Sequence, residues 1–193
     1  MKKTGMPWGP SWQSSIVRPL LVWPKRRVFV SYHEDDAAYY AVFSRVFDHT
    51  WDFISDQSLD RLYGNRDSDA EYIIRMIREK HISGTSCTLV LCGARTQQRK
   101  YVDWEICATL HKQHGLIGID LPVSPLPWLS LTKPPVRLAD NYWSGYAIRG
   151  QWWQLTLTPW ILDSWIGQAL GRRKDLIDNS RPTMRRNLSV FGL

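Results

Sequence analysis

Cys87-Thr88-Leu89-Val90-Leu91-Cys92 is an almost unbroken run of apolar and β-branched residues, and it gives way at Gly93 to a polar, basic loop ending at Lys100. A run without a polar face suits a strand covered on both sides, the condition of strands inside a parallel sheet. Behind the loop, Tyr101 to His114 keeps helical spacing and stops at Gly115, and Leu116-Ile117-Gly118-Ile119 begins another apolar strand. Strand, helix and strand in that order form a right-handed crossover, which sets the two strands parallel.

The same alternation extends upstream. Val28-Phe29-Val30 reads as a short buried strand and Ser31-Tyr32-His33-Glu34-Asp35-Asp36 as the polar loop after it. Tyr39, Tyr40, Phe43, Val46 and Phe47 then recur at helical spacing, predicting a helix over about 36–48. Trp51-Asp52-Phe53-Ile54 is the next strand, and residues 55–67 are a polar loop with Gly64 and Asn65. Ser68 and Glu71 have capping-box spacing, opening a helix that carries Ile73, Ile74, Met76 and Ile77 and ends near Gly84. The order β-α-β-α-β-α-β predicts an α/β fold, a mostly parallel sheet with helices on both faces. Ligands of such sheets bind beyond the carboxyl ends of the strands, where strand order reverses. The loops 31–36, 55–67 and 93–100 would line that crevice.

The chain has 193 residues, 44% hydrophobic and 22% charged, which suits one domain with an appendage. A net charge of +7 favours anionic partners. Much of the excess lies near the end, at Arg172, Arg173, Lys174, Arg181, Arg185 and Arg186, and reads as a solvated or docking arm. Three cysteines are too few, and odd in number, for a secreted disulfide framework; Cys87 and Cys92 read as small core residues. No stretch suits a membrane span or a signal peptide, so no membrane association is expected and the expected location is cytoplasmic. His111 and His114 lack further ligands, so no metal is expected. No nucleic-acid module is present, and nucleic acid is not an expected partner. The expected division is an irregular arm rich in Pro, Trp and Gly over 1–25, the α/β domain over 26–147, and a Trp-rich helical and basic extension over 148–193. Residues 120–135 read as loop-rich, punctuated by proline, and a helix is expected around Trp160 to Ile166, behind Pro159.

Tyr101 and Glu105 stand four residues apart and share a helix face, with Trp104 as a flanking aromatic. On spacing alone Glu105 is either a surface carboxylate, which the helix dipole stabilises by ~0.3–1 kcal/mol, or a functional carboxylate beside the crevice.

Thr88-Leu89-Val90-Leu91-Cys92-Gly93 through Val102-Asp103-Trp104-Glu105-Ile106 resembles the TIR-like family whose members include the signal-producing subunit of Thoeris anti-phage systems. Arg27-Val28-Phe29-Val30-Ser31-Tyr32, Asp69-Ala70-Glu71-Tyr72-Ile73, Pro135-Val136-Arg137-Leu138-Ala139-Asp140-Asn141 and Gly145-Tyr146-Ala147 resemble it too, over about 26–147. The resemblance implies a TIR/flavodoxin-like fold and an enzyme that cleaves the nicotinamide–ribose bond of NAD, its substrate, without a further cofactor. It implies Glu105 as the catalytic residue. The residue four before it is typically tryptophan, and here it is Tyr101. Tyr101 and Trp104 would wall the pocket, Ser31, Tyr32 and His33 would meet phosphate or ribose, and Asp56 in the 55–67 loop would close over the ligand. The product would be a cyclic or conjugated ADP-ribose messenger that activates a separate effector protein against phage, and self-association is expected. The chemistry is compatible with one carboxylate. Nicotinamide is already a cationic leaving group, so no general acid is needed, and a carboxylate can stabilise the charge that develops on the ribose. A non-catalytic TIR scaffold and a ribosyl transferase acting between bases are the alternative readings.

Overall fold

A computed structural model describes residues 25–55, 70–123 and 132–188. The described elements are β1 (Arg27–Ser31), α1 (Ala37–Phe47), β2 (Asp52–Ile54), α2 (Ala70–Met76), β3 (Cys87–Cys92), α3 (Lys100–His111), β4 (Gly115–Asp120), α4 (Val136–Trp143), β5 (Ile148–Gln151), α5 (Trp152–Leu157) and α6 (Ile161–Leu170). The end of α2 widens into a π turn, Ile77–His81. The five strands run in the order β2-β1-β3-β4-β5, and every pairing is parallel. This is the α/β architecture that the alternation of elements predicts, with its reversal of strand order between β1 and β3.

Burial explains the sheet's composition. Every residue of β3 and of β4 is buried. Side chains alternate between faces along a strand, so Leu89, Leu91, Ile117 and Ile119 meet Phe43 and Phe47 of α1 and Trp165, Ile166 and Ala169 of α6. On the opposite face Val90 and Leu116 meet Ile106 and Leu110 of α3 and Leu138 of α4, while Phe29 meets Trp104 of α3 and Ile73, Ile74 and Ile77 of α2. Burial pushes the Cys87 thiol up to about 12 and raises that of Cys92, so both act as apolar filling. No helix among the described residues is long and apolar enough to cross a membrane.

Three expectations need revision. The boundary at 147 runs through the sheet, because β5 starts at Ile148 and pairs with β4 from Ile117↔Ile148 to Asp120↔Gln151. Leu162, Trp165 and Ile166 belong to the same core cluster as Val28 and Leu89, so α6 is one layer of the domain and not an appendage. Residues 136–143, beyond the loop-rich stretch expected over 120–135, form α4, which starts directly behind Pro135 at its N-cap. Val46 is 45% exposed, which narrows the buried face of α1 to Phe43 and Phe47. Residues 1–24, Asp56 with the loop to 67, and Ser68 of the expected capping box lie outside the described residues.

Gly150 of β5 lets α6 approach. A β-carbon there would lie 2.3, 2.5 and 2.8 Å from Cη2, Cζ3 and Cζ2 of Trp165. Gly150→Ala is therefore expected to destabilise the protein by about 1–3 kcal/mol, the usual cost of overpacking a core. Urea unfolding followed by tryptophan fluorescence measures this, and an unchanged midpoint would mean that Trp165 is not seated against β5.

Candidate functional site

Ser31 is the last residue of β1 and pairs with Val90 of β3, which places it at the reversal of strand order. Its hydroxyl donates to Oε2 of Glu105 at 2.5 Å. Glu105 sits in the second turn of α3 and is only 5% exposed, so it is not the surface carboxylate that spacing also allowed. The reason is rotational. One face of α3 turns Trp104, Cys107 and Ala108 towards α2, and the next turns Glu105 and Thr109 onto the sheet. Thr109 Oγ1 donates to the Glu105 carbonyl at 2.8 Å and stands 2.8 Å from Thr88 Oγ1, so Thr88 is the donor of that second bond. Ser31, Glu105, Thr109 and Thr88 thus form a polar seam under α3 that ends, at the carboxyl edge of the sheet, in a carboxylate.

The loop after β1 continues the site. Nδ1 of His33 accepts the Asp35 amide N–H at 3.1 Å, capping a short 3-10 turn over Glu34–Asp36. Burial first, and the Arg99 charge second, hold the His33 imidazole below its ordinary pKa, so the ring is neutral at pH 7. With Nδ1 accepting, the ring proton lies on Nε2. That buried N–H has no partner among the described residues, and neither has the buried Nε of Arg99 on the loop after β3. Two unpartnered nitrogens, one from each loop that flanks the reversal point, thus lie buried here. The loops are latched together: Thr96 Oγ1 donates to Oδ2 of Asp36 at 3.1 Å and accepts from the Gly93 amide at 2.8 Å. Gly93 is needed there, since a β-carbon would lie 2.2 Å from both carboxylate oxygens of Asp36.

The other expected site residues fall differently. Tyr32 stacks on Tyr40, with ring centroids 4.6 Å apart, and burial raises the pKa of its phenol, which stays protonated. Trp104 is fully buried; its ring meets Tyr101 edge to face at 5.1 Å, and its indole N–H donates to the Met184 carbonyl at 2.7 Å. It braces α3 from behind and does not present the ligand wall expected of it. Tyr101 is 7% exposed and packs in the same cluster, with the Lys100 ammonium 5.2 Å from its ring centre. In the basic loop after β3, Arg95 is paired with Asp35 at 2.9 Å. His33, Glu34 and Asp35 bring possible metal-ligand atoms within 4.8 Å of one another, but a cation there would have to displace Arg95 from Asp35.

A family model for the TIR-like domain of the Thoeris protein ThsB matches residues 29–125, half of the chain. The chain belongs to the Thoeris ThsB TIR-like family. The matched span runs from β1 past β4 and contains Ser31, His33, Arg99 and Glu105, so the site lies inside the part that defines this defence-system family. No curated protein matches the chain.

This TIR-like domain holds its Glu105 helix by residues beyond the matched span. Arg137 of α4 is fully buried, and its guanidinium donates to Asp103 at 2.9 and 3.3 Å, to Oδ1 of Asn179 at 2.7 Å, and to the carbonyls of Arg181 and Pro182 at 2.9 and 3.2 Å. Asp103 also accepts the Met184 amide N–H at 2.9 Å. The chain from 178 to 188 therefore crosses the outer side of α3 as a strap. Its Asn187 accepts the Lys100 amide N–H at 2.9 Å, one of the first donors of a helix whose own N-cap residue, Arg99, supplies no side-chain cap. The basic C-terminal arm is thus docked on its own domain. Spacing gave no signal for this, because partners 34–87 positions apart leave no local pattern.

Removing one partner of a buried ion pair typically costs about 3–5 kcal/mol. Arg137→Met is therefore expected to lower stability by that order and to release the strap. Hydrogen exchange of the Met184 and Leu188 amides measures the release, and unchanged protection of both would refute the tether.

Proposed function

We propose that this TIR-like domain cleaves the nicotinamide–ribose bond of NAD, with Glu105 as its catalytic carboxylate. The observation that carries the reading is the placement of that carboxylate, buried and hydrogen-bonded to Ser31 at the reversal point of the sheet. A preorganised negative charge in a place poor in water acts most strongly on a centre where positive charge develops. In N-glycosidic cleavage that centre is the ribose carbon, from which nicotinamide departs as a neutral molecule with the bonding electron pair. Glu105 would lower the energy of this oxocarbenium-like state or orient the ribose hydroxyls. Ser31 would fix the carboxylate rotamer before the substrate arrives. The free donors, His33 Nε2–H and Arg99 Nε–H, suit the diphosphate and ribose oxygens of the same ligand. Tyr32 lines the β1 side of the crevice, Tyr101 and Trp104 stiffen the helix, and Asp56 is assigned to a loop closing over the ligand.

Membership of the Thoeris ThsB family supports a place for this chemistry in phage defence. On this reading the ADP-ribosyl group becomes a cyclic or conjugated messenger that activates a separate effector protein, self-association of the domain accompanies activity, and the cytoplasm, which holds NAD, is the compartment. Glu105→Gln keeps an oxygen that can accept from Ser31 and removes the charge. It is expected to fold normally and to lower NAD consumption by at least about a hundredfold. Nicotinamide release is measured by chromatography and mass spectrometry, with lysate from phage-infected cells added to supply a trigger. Wild-type turnover by Glu105→Gln would remove the assignment of Glu105, and no release by the wild-type protein even with infected lysate would favour a non-catalytic scaffold.

A further inference from the structure

A recess of about 730 Å³ lies between α2 with its π turn, α3 and the C-terminal strap. Arg75 and Arg78 face it from the α2 side, Cys107 and His111 from α3, and Arg181 and Arg185 from the strap. Among the described lining residues the one carboxylate is Glu71. The arginines are not equally committed. Arg181 is held by both oxygens of Asp140 at 2.7 and 3.1 Å. Among the described residues Arg78 has one loose ion-pair neighbour, Glu79, at 3.9 Å, and Arg185 has none, while Arg75 lies over the Tyr72 ring. Arg75, Arg78 and Arg185 therefore set three positive charges against Glu71. His111 registers this field: its pKa is held down first by burial and then by the charges of Arg78 and Arg137.

The recess is separate from the Glu105 site. Both use α3, but Cys107 and His111 stand roughly 200–240° around the helix from Glu105 at 100° per residue. The volume falls in the ~300–1,000 Å³ range of small-molecule sites, which is more than a single inorganic phosphate fills. Guanidinium groups are matched in geometry and charge to phosphoryl oxygens, and two different elements bring them to the recess lining, the π turn with Arg78 and the strap with Arg185. We propose that this recess binds the diphosphate of a nucleotide, held between Arg78 and Arg185, with Arg75 as a third contact. One wall is the strap itself, so an anion bound there bridges the strap to α2. The proposal does not depend on NAD cleavage at Glu105.

The test is calorimetric titration of the full chain at low salt with pyrophosphate, ADP and adenosine. Pyrophosphate and ADP are expected to bind with one-to-one stoichiometry, adenosine not to bind, and the affinity to fall as salt is raised. The double substitution Arg78→Gln/Arg185→Gln is expected to weaken both anions at least tenfold. Glu71→Gln, which removes the opposing charge, is expected to tighten them several-fold, a gain that misfolding cannot imitate. Glu105→Gln is expected to bind them as the wild type does, which keeps this result distinct from the catalytic assignment. The proposal is overturned by absent pyrophosphate and ADP binding at millimolar concentration, by equal binding of adenosine, or by affinities indifferent to the arginine and Glu71 substitutions. Loss of binding in Glu105→Gln would also overturn it, by placing the anion in the crevice.

Discussion

The buried pair between Arg137 and Asp103 joins three parts of the chain, α4, α3 and the C-terminal strap, at one point. A guanidinium and a carboxylate removed from water each lose several kcal/mol of hydration, and their mutual attraction offsets this only when the remaining donors and acceptors are satisfied. Here they are. Arg137 spends its donors on Asp103, Asn179 and two strap carbonyls, and Asp103 takes a further amide from Met184. The pair therefore fixes α4, α3 and the strap relative to one another. It does so on the side of α3 that faces away from the seam, which leaves the sheet side to a different task.

On that side, packing is polar where apolar residues would be expected. Thr88, Thr109, Ser31 and Glu105 occupy a helix–sheet interface that leucine or valine could fill. A hydrogen-bonded column specifies position more sharply than apolar contact, because each bond has a preferred distance and direction. The helix is thus set in register by polar contacts on one side and by an ion pair on the other, with Trp104 wedged against α2 between them. A carboxylate carried on such a helix has little freedom to relax, which is what electrostatic preorganisation requires.

The sheet was legible in the sequence wherever a strand is covered on both faces. Cys87–Cys92 and Gly115–Asp120 read as continuous apolar runs because every side chain in them is buried. The edge strand β5 was not legible: Ile148-Arg149-Gly150-Gln151 carries an exposed arginine and a glycine required by Trp165, and neither is a strand signal. The prolines of 120–135 gave no sign of the helix that follows them, although the last of them, Pro135, is its N-cap. In the site, the loop position of Tyr32 and His33 and the helix position of Glu105 followed from spacing, while Ser31, read as the start of that loop, closes β1. The burial of Glu105, the bracing role of Trp104 and the spare donor of Arg99 did not, since each depends on which neighbour lies across the interface. The strap is the extreme case, an aperiodic segment whose partners lie far back along the chain.

That distance has a consequence for the order in which the protein can be completed. The Asp103 carboxylate waits for Met184, 81 positions later, and the first turn of α3 waits for Asn187. While the chain is being synthesised, β1 to β4 can pair and α3 can form, but its outer side then has neither its ion-pair partner nor its cap. Contacts of such long range are the last to be made and impose the largest loop-closure cost. The helix that carries Glu105 therefore reaches its final position only at the end of folding, so a partly made chain would hold its carboxylate in a site not yet set.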